Sequence, residues 1–351
     1  MKSTFVSTAS ISEAMRYSIR RAQTELTKAQ KEVSTGRVDD VGLALGVRTG
    51  QSVSLSRDLA RLQGIVDTNE LAASRLTATQ DALNDIVTIG QSFLGTLTNS
   101  VSGDNNSTLV FTEAKATLES LTNILNQSFN GEHLFAGINT DVEPINDFTD
   151  ASSPNKAAFD AAFVGFFGFT QSDPAAANIT TAQMDTFYTT VVEPQFLGAG
   201  WQTNWSSATD AGITSRIALN ETVETSVSAN DKGLRKLAMA AATVMDLFNG
   251  TSQLGEEAGK QLLDHALTTV GEALADIANL SAKTGIVENR VKNASERIGM
   301  QTDLLENTIL QFEGVDPYEA STRVSTLLQQ IETSYTLTAR IQQLSLVNFL
   351  T

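Results

Sequence analysis

The sequence predicts a mainly α fold: an elongated antiparallel helical bundle or coiled coil built from both chain ends, with a central α+β insertion of strand, turn and short helix. Three observations carry that reading. Apolar residues recur at alternating spacings of three and four toward both ends of the 351-residue chain, the rhythm of amphipathic helices that pack along a seam. Residues 141–215 carry no sustained heptad and hold four of the five prolines, both tryptophans and eight of the sixteen phenylalanines. Short glycine and proline breaks separate the segments.

In order along the chain, Ile11, Met15, Ile19, Ala22, Leu26, Ala29 and Val33 predict a first amphipathic helix. It stops at STGRVDD, Ser34 to Asp40, where Gly36 suits the left-handed residue that ends a helix and the acids suit a turn or a new cap. A loop is expected through Gly42, Gly46 and Gly50. From Leu55 to Val101 the alternation returns without a slip, predicting one long helix or two nearly collinear ones. The cluster SGDNNS turns the chain, and Phe111, Ala114, Leu118, Leu121 and Leu125 predict a third, antiparallel helix capped near Asn130 and Gly131. The helical pattern is then abandoned in HLFAGINTDVEPINDF, His133 to Phe148.

Residues 141–215 hold nine acids against Lys156 alone, so half of the net charge of −16 sits there. This composition predicts a solvent-facing insertion, with a helix through Ala157, Phe159 and Phe163. Helical signal resumes at Leu234, Leu237, Ala241 and Val244 and continues as a ladder from Leu263 to Phe312. GVDPYEAS breaks it, with Asp316 before Pro317 as a new helix start. The last helix carries Val324, Leu328, Ile331 and Tyr335, then, after a change of register, Leu337, Ile341, Leu344 and Val347.

The composition excludes most chemistry. Without cysteine there is no disulfide, no thiolate nucleophile and no Cys-ligated metal. The two histidines, His133 and His265, are far apart in sequence, and Asp264 next to His265 diverges from it by about 100° on a helix, so the pair is no catalytic dyad. Asp39-Asp40 and Glu256-Glu257 read as helix-end charges. GAGWQT and GFFGFT lack the strand-Gly-helix setting of a phosphate loop. No catalytic residue, cofactor or metal is expected. The acidic balance argues against nucleic acid or an anionic membrane as partner, and the longest apolar cluster, residues 161–169, falls short of the ~20 residues of a membrane span. The first residues lack the apolar core and cleavage site of a standard signal peptide.

The heptad N-terminal helix, the break in VSTGRVDD, the exit HLFAGINTDVEP and the C-terminal run LLQQIETSYTLTARIQQLSLVNFL together resemble the flagellin-type proteins. Within them the chain is most similar to the hook-filament junction proteins, hook-associated protein 3. The similarity covers residues 1–145 and 220–351, and STG at 34–36 and LFAG at 134–137 are its most specific parts. It implies an inner coiled-coil tube of terminal helices, a rod-like middle and an outward-facing β-rich domain entered at LFAG. It implies export without a cleaved signal through the flagellar export apparatus, with an export chaperone, to the extracellular bacterial flagellum. The expected function is a homo-oligomeric adaptor ring that joins hook to filament and templates filament assembly, in contact with a neighbouring hook-associated protein and flagellin. The alternative is flagellin, the filament subunit itself.

The expected domains are residues 1–40 plus 317–351 for assembly, 41–140 plus 216–316 for the helical rod, and 141–215 for the exposed insertion. Residues 1–40 carry seven basic and five acidic groups, and 317–351 two of each; near-neutral ends suit packing against copies of the same chain. The expected assembly seam is Ile11, Met15, Ile19, Leu26, Val33, Val324, Leu328, Ile331, Tyr335, Ile341 and Leu344. In an isolated subunit these ends are expected to fray and to become ordered on assembly.

Overall fold

The computed structural model describes residues 8–102 and 107–350, with side chains over 10–102 and 107–341. The turn expected at SGDNNS falls largely at 103–106, outside the described residues. The chain forms α1 (Thr8–Thr35), α2 (Val41–Leu45), a 3-10 turn (Gly46–Arg48), α3 (Thr49–Ser102) and α4 (Ser107–Leu125). A hairpin of β1 (Ser128–Phe129) and β2 (Glu132–His133) precedes α5 (Pro154–Phe167), α6 (Thr181–Phe187) and α7 (Glu193–Leu197). Two π-helical turns, Tyr188–Val192 and Trp201–Trp205, flank α7. The antiparallel pair β3 (Thr214–Ala218) and β4 (Glu221–Glu224) leads to α8 (Lys232–Leu247), α9 (Glu256–Glu313) and α10 (Pro317–Leu350). Two compact units result, one of residues up to Gln63 and from Gly299 onward, the other Gly64–Ile298.

In the second unit α3 and α9 run antiparallel. Thr77 Oγ1 donates to Glu288 at 3.0 Å and Asn69 Nδ2 to Ser295 Oγ at 3.1 Å. Gly90 lets the two helices close, since a Cβ there would lie 2.9 Å from Leu274. The buried face of α3 is wider than the single predicted stripe: Leu76, Leu83 and Leu97 are covered, and so are Ala72, Thr79, Ile86 and Phe93, each a heptad apart. One heptad row contacts one neighbour, and a second buried row requires packing from another side, here α4 and α8.

The insertion joins that same core. Phe148, Phe159, Phe163, Phe187, Phe196, Trp201 and Trp205 are all buried and continuous with Leu118, Leu237 and Val270 of the helices. Trp201 stacks on Trp205 with centroids 5.6 Å apart, and Phe148 stacks on the other indole partner, Trp205, at 5.0 Å. Rings of this size carry most of the apolar area in a small core, which is why a segment without a heptad still packs. Up to Trp205 its regular structure is helical, and its strand content is the hairpin that begins at Thr214. Polar anchors fix it. Lys156 of α5 meets the buried Asp246 of α8 at 3.0 Å and Asp160 within its own helix. Burial pushes the Asp246 carboxyl above its ordinary value. Burial works to lower Lys156, but the two carboxylates outweigh it and hold the ammonium above 10.5.

The exit motif is a packed corner. Leu134, Phe135 and Ala136 are buried, and Ala136 pairs with Ser228. Gly137 takes φ +68°, and a Cβ there would lie 2.4 Å from the Thr209 carbonyl oxygen, so no other residue fits without moving backbone. Just before it, Asn130 and Gly131 have φ of 53° and 84° and form the two-residue tip of the β1–β2 hairpin. They do not cap α4, which ends at Leu125: an Asn-Gly pair with two left-handed residues closes a type I′ turn. The expected loop at Gly42–Gly50 is instead α2 and a 3-10 turn, because Asp40 caps the short helix by accepting from the Leu43 N–H at 3.0 Å.

Candidate assembly interface

Helix α1 ends where predicted. Gly36 has φ +68° and its N–H reaches the Glu32 carbonyl at 2.8 Å. Helix α10 starts where predicted, with Asp316 Oδ1 accepting from the Tyr318 N–H at 2.8 Å. The two breaks are tied together: Val38 N–H donates to Glu313 O at 2.8 Å, and Val315 N–H to Gly36 O at 3.0 Å. The buried Glu313 carboxylate accepts from Ser52 Oγ and faces Arg37 at 3.4 Å. Next to this joint Lys31 pairs with Asp39 at 2.8 Å, a hydrogen bond that raises the Lys31 ammonium above 10.5.

From the joint, α1 and α10 pack on each other. Ile19, Ala22 and Ala29 are buried in the seam, the alanines allowing close approach. Polar contacts bind the flanks: Gln23 Nε2 donates to Tyr335 Oη at 2.9 Å, Arg323 meets Glu32 at 2.9 Å, and Thr338 Oγ1 lies 3.7 Å from Met15 Sδ. These pairs were not legible in the sequence, since a heptad names the apolar row and not its polar neighbours.

Of the expected seam residues whose side chains are described, Ile19 alone is buried. Ile11, Met15, Leu26, Val324, Ile331 and Ile341 are half-buried. Val33, Leu328 and Tyr335 are exposed, at 42%, 48% and 52%. The side chain of Leu344 lies outside the described residues, within α10. A two-helix layer covers each helix from one side only, so an apolar stripe wider than one contact row is left half open. Tyr17 and Leu337 add to the uncovered surface. A groove of about 760 Å³ between the helices is lined by Arg16, Ile19, Arg20, Gln23 and Tyr335.

The remaining candidates for chemistry are used structurally. His133 Nδ1 donates to the Asn126 carbonyl at 2.8 Å, while buried Arg75 grips Glu132 at 2.7 Å and the His133 carbonyl at 2.8 Å. His265 stacks on Tyr188 and faces Asp185 of α6 at 2.9 Å, not its sequence neighbour Asp264. Among the described residues no cluster of three or more metal-ligating side chains occurs, and no helix is long and apolar enough to cross a membrane.

Comparison with known proteins agrees with this architecture. The family described as bacterial flagellin N-terminal helical region matches residues 6–140, and the bacterial flagellin C-terminal helical region matches residues 267–350. A solved structure described as a flagellar hook-associated protein of Vibrio parahaemolyticus is similar in fold, with a TM-score of 0.51 at 10% identity over 75% of this chain and 96% of that one. No curated protein sequence matches the chain. With both terminal helical regions matched, over more than half of its length, the chain belongs to the bacterial flagellin family and is a structural component of the flagellum.

Proposed function

We propose that the chain is the adaptor that joins hook to filament, assembling as a homo-oligomeric ring that templates the filament. The observation that carries this reading is the unfinished seam of α1 and α10, whose half-open apolar stripe calls for neighbouring copies. Covering it gains roughly 25 cal/mol per Å² of apolar surface, a stabilisation present only when neighbours are. In this reading residues 1–40 and 317–351 form the assembly domain with the seam residues named above, 41–140 and 216–316 the rod, and 141–215 the exposed insertion. Export without a cleaved signal by the flagellar apparatus, with a chaperone, and contacts to a neighbouring hook-associated protein and to flagellin follow from the same reading.

The likeness in fold to the Vibrio hook-associated protein supports the junction over the filament. The filament subunit is the second reading, favoured by the matches to both flagellin terminal regions. Immunogold electron microscopy of intact flagella with an antibody against residues 141–215 separates them. The junction reading expects label in a band at the hook-filament boundary. Label along the filament would make the chain a flagellin, and no label on any flagellum would remove both readings.

A further inference from the structure

Two polar residues and a glycine interrupt the apolar rows of α3: Asn69, Gln80 and Gly90. Each meets a matching residue of α9. Asn69 Nδ2 donates to Ser295 Oγ at 3.1 Å, Gln80 Nε2 donates to Ser281 Oγ, and the notch at Gly90 is filled by Leu274, 2.9 Å from where a Cβ would stand. Asn69 is 1% exposed, and its Nδ2 also donates to the Ile217 carbonyl of β3 at 3.0 Å. Asn69 Oδ1 and Gln80 Oε1 are buried with no hydrogen-bond partner among the described residues. An amide in an apolar row adds less to a helix pair than the leucine it displaces, and a glycine in mid-helix weakens it.

The apolar rows alone do not decide how the two helices align. Leu76, Leu83 and Leu97 of α3 recur at multiples of seven, and so do Val270, Ile277, Val291 and Ile298 of α9. A slide of one heptad, about 10 Å, therefore sets each row against the same kind of residue again. The interruptions do not share that spacing: Gln80 stands eleven residues after Asn69, and Gly90 ten after Gln80. Slid one heptad one way, Gln80 would face Leu274; slid the other way, Leu274 would leave the Gly90 notch for Leu83. In both cases Asn69 would lose Ser295. A stranded buried polar group weighs against a register by about tenfold or more.

We infer that Asn69, Gln80 and Gly90 are a register lock: they select, from the alignments one heptad apart that the apolar rows permit, the one in which α3 and α9 together seat the β3–β4 hairpin. The hairpin needs that alignment because it binds both helices at once. Ile217 and Val223 pack with Leu76 of α3 and with Val291 and Ala294 of α9, while Glu221 meets Arg290 at 3.0 Å and Arg297 at 3.3 Å. Asn69 is the point where the three elements join, since its one amide on α3 bonds both α9 and β3. A single buried asparagine fixes the register of a coiled coil in the same way, at a cost in stability. The lock acts within one chain and is independent of the assembly reading.

The cysteine-free sequence allows a direct test. The full-length chain carrying Thr77→Cys on α3 and Thr268→Cys on α9, both exposed, is labelled with nitroxides, unfolded in urea and refolded. The distance between the labels is then read by pulsed electron paramagnetic resonance. With Asn69 and Gln80 in place a single distance is expected. With Asn69→Leu and Gln80→Leu a second population is expected, displaced by about 10 Å, the length of one heptad, with the helical circular dichroism retained. A single unshifted distance in that variant would overturn the proposal, because the remaining packing would then fix the register unaided. So would two distances in the chain that keeps both residues. Should the double variant lose its helical circular dichroism, Gln80→Leu alone, which leaves the Ile217 carbonyl its donor, carries the same test: a shifted population supports the lock, and its absence overturns it.

Discussion

At the scale of single residues, Gly137 is the position where chemistry leaves least freedom. Its φ of +68° and the 2.4 Å approach of the Thr209 carbonyl both forbid a side chain. Gly137→Ala is expected to cost about 2–4 kcal/mol in urea unfolding, because φ strain and a backbone clash add. Gly95→Ala, in mid-helix with nothing within 4 Å of the new methyl, is expected to stabilise by about 0.5–1 kcal/mol. Equal effects at the two sites would mean that the exit corner tolerates a side chain. LFAG stood out in the sequence, but the cause of its glycine did not, since the obstructing carbonyl is 72 residues away along the chain. Ala22 and Ala29 were legible as members of the α1 apolar row, because a heptad is local, although the expected seam did not include them. Helix α2 was not legible, because one helical turn shows no period; the signal was Asp40 three residues before Leu43, a cap without a visible helix.

At the scale of elements, the long helices α3, α9 and α10 were readable from period, and their ends from caps such as Asp316 and Gly36. The insertion was not, since its order comes from rings that meet across distant segments, such as Phe148 on Trp205. What holds α5 to α8 is testable through pH. Lys156, and Lys236 between Glu272 and Asp276, are held protonated above 10.5 by carboxylates that outweigh desolvation. A raised folded value means that each contribution is full below pH 10.5 and is lost as pH climbs through that higher value. The thermal midpoint is therefore expected to fall as pH rises above 10.5. Lys156→Met alone strands buried Asp246 and is expected to cost about 3 kcal/mol at neutral pH. Lys156→Met with Asp246→Leu is expected to recover most of that loss and to shrink the alkaline fall. A single variant as stable as the unsubstituted chain would show that the latch contributes nothing.

At the scale of the whole molecule, charge and apolar surface are segregated. Nine acids lie on the insertion, while the terminal helices are nearly neutral and leave an apolar stripe half open. In the proposed assembly, solubility and association therefore fall to different parts of one chain. The central claim is that the α1–α10 pair is completed by neighbouring copies, and amide hydrogen exchange tests it most directly. Residues 11–33 and 317–341 should exchange rapidly in a monomer proven by sedimentation, and on the order of 100-fold more slowly in the assembled state, as local opening becomes costly. Residues 11–33 already as protected in the monomer as in the assembly would contradict the claim, showing that the pair needs no neighbour.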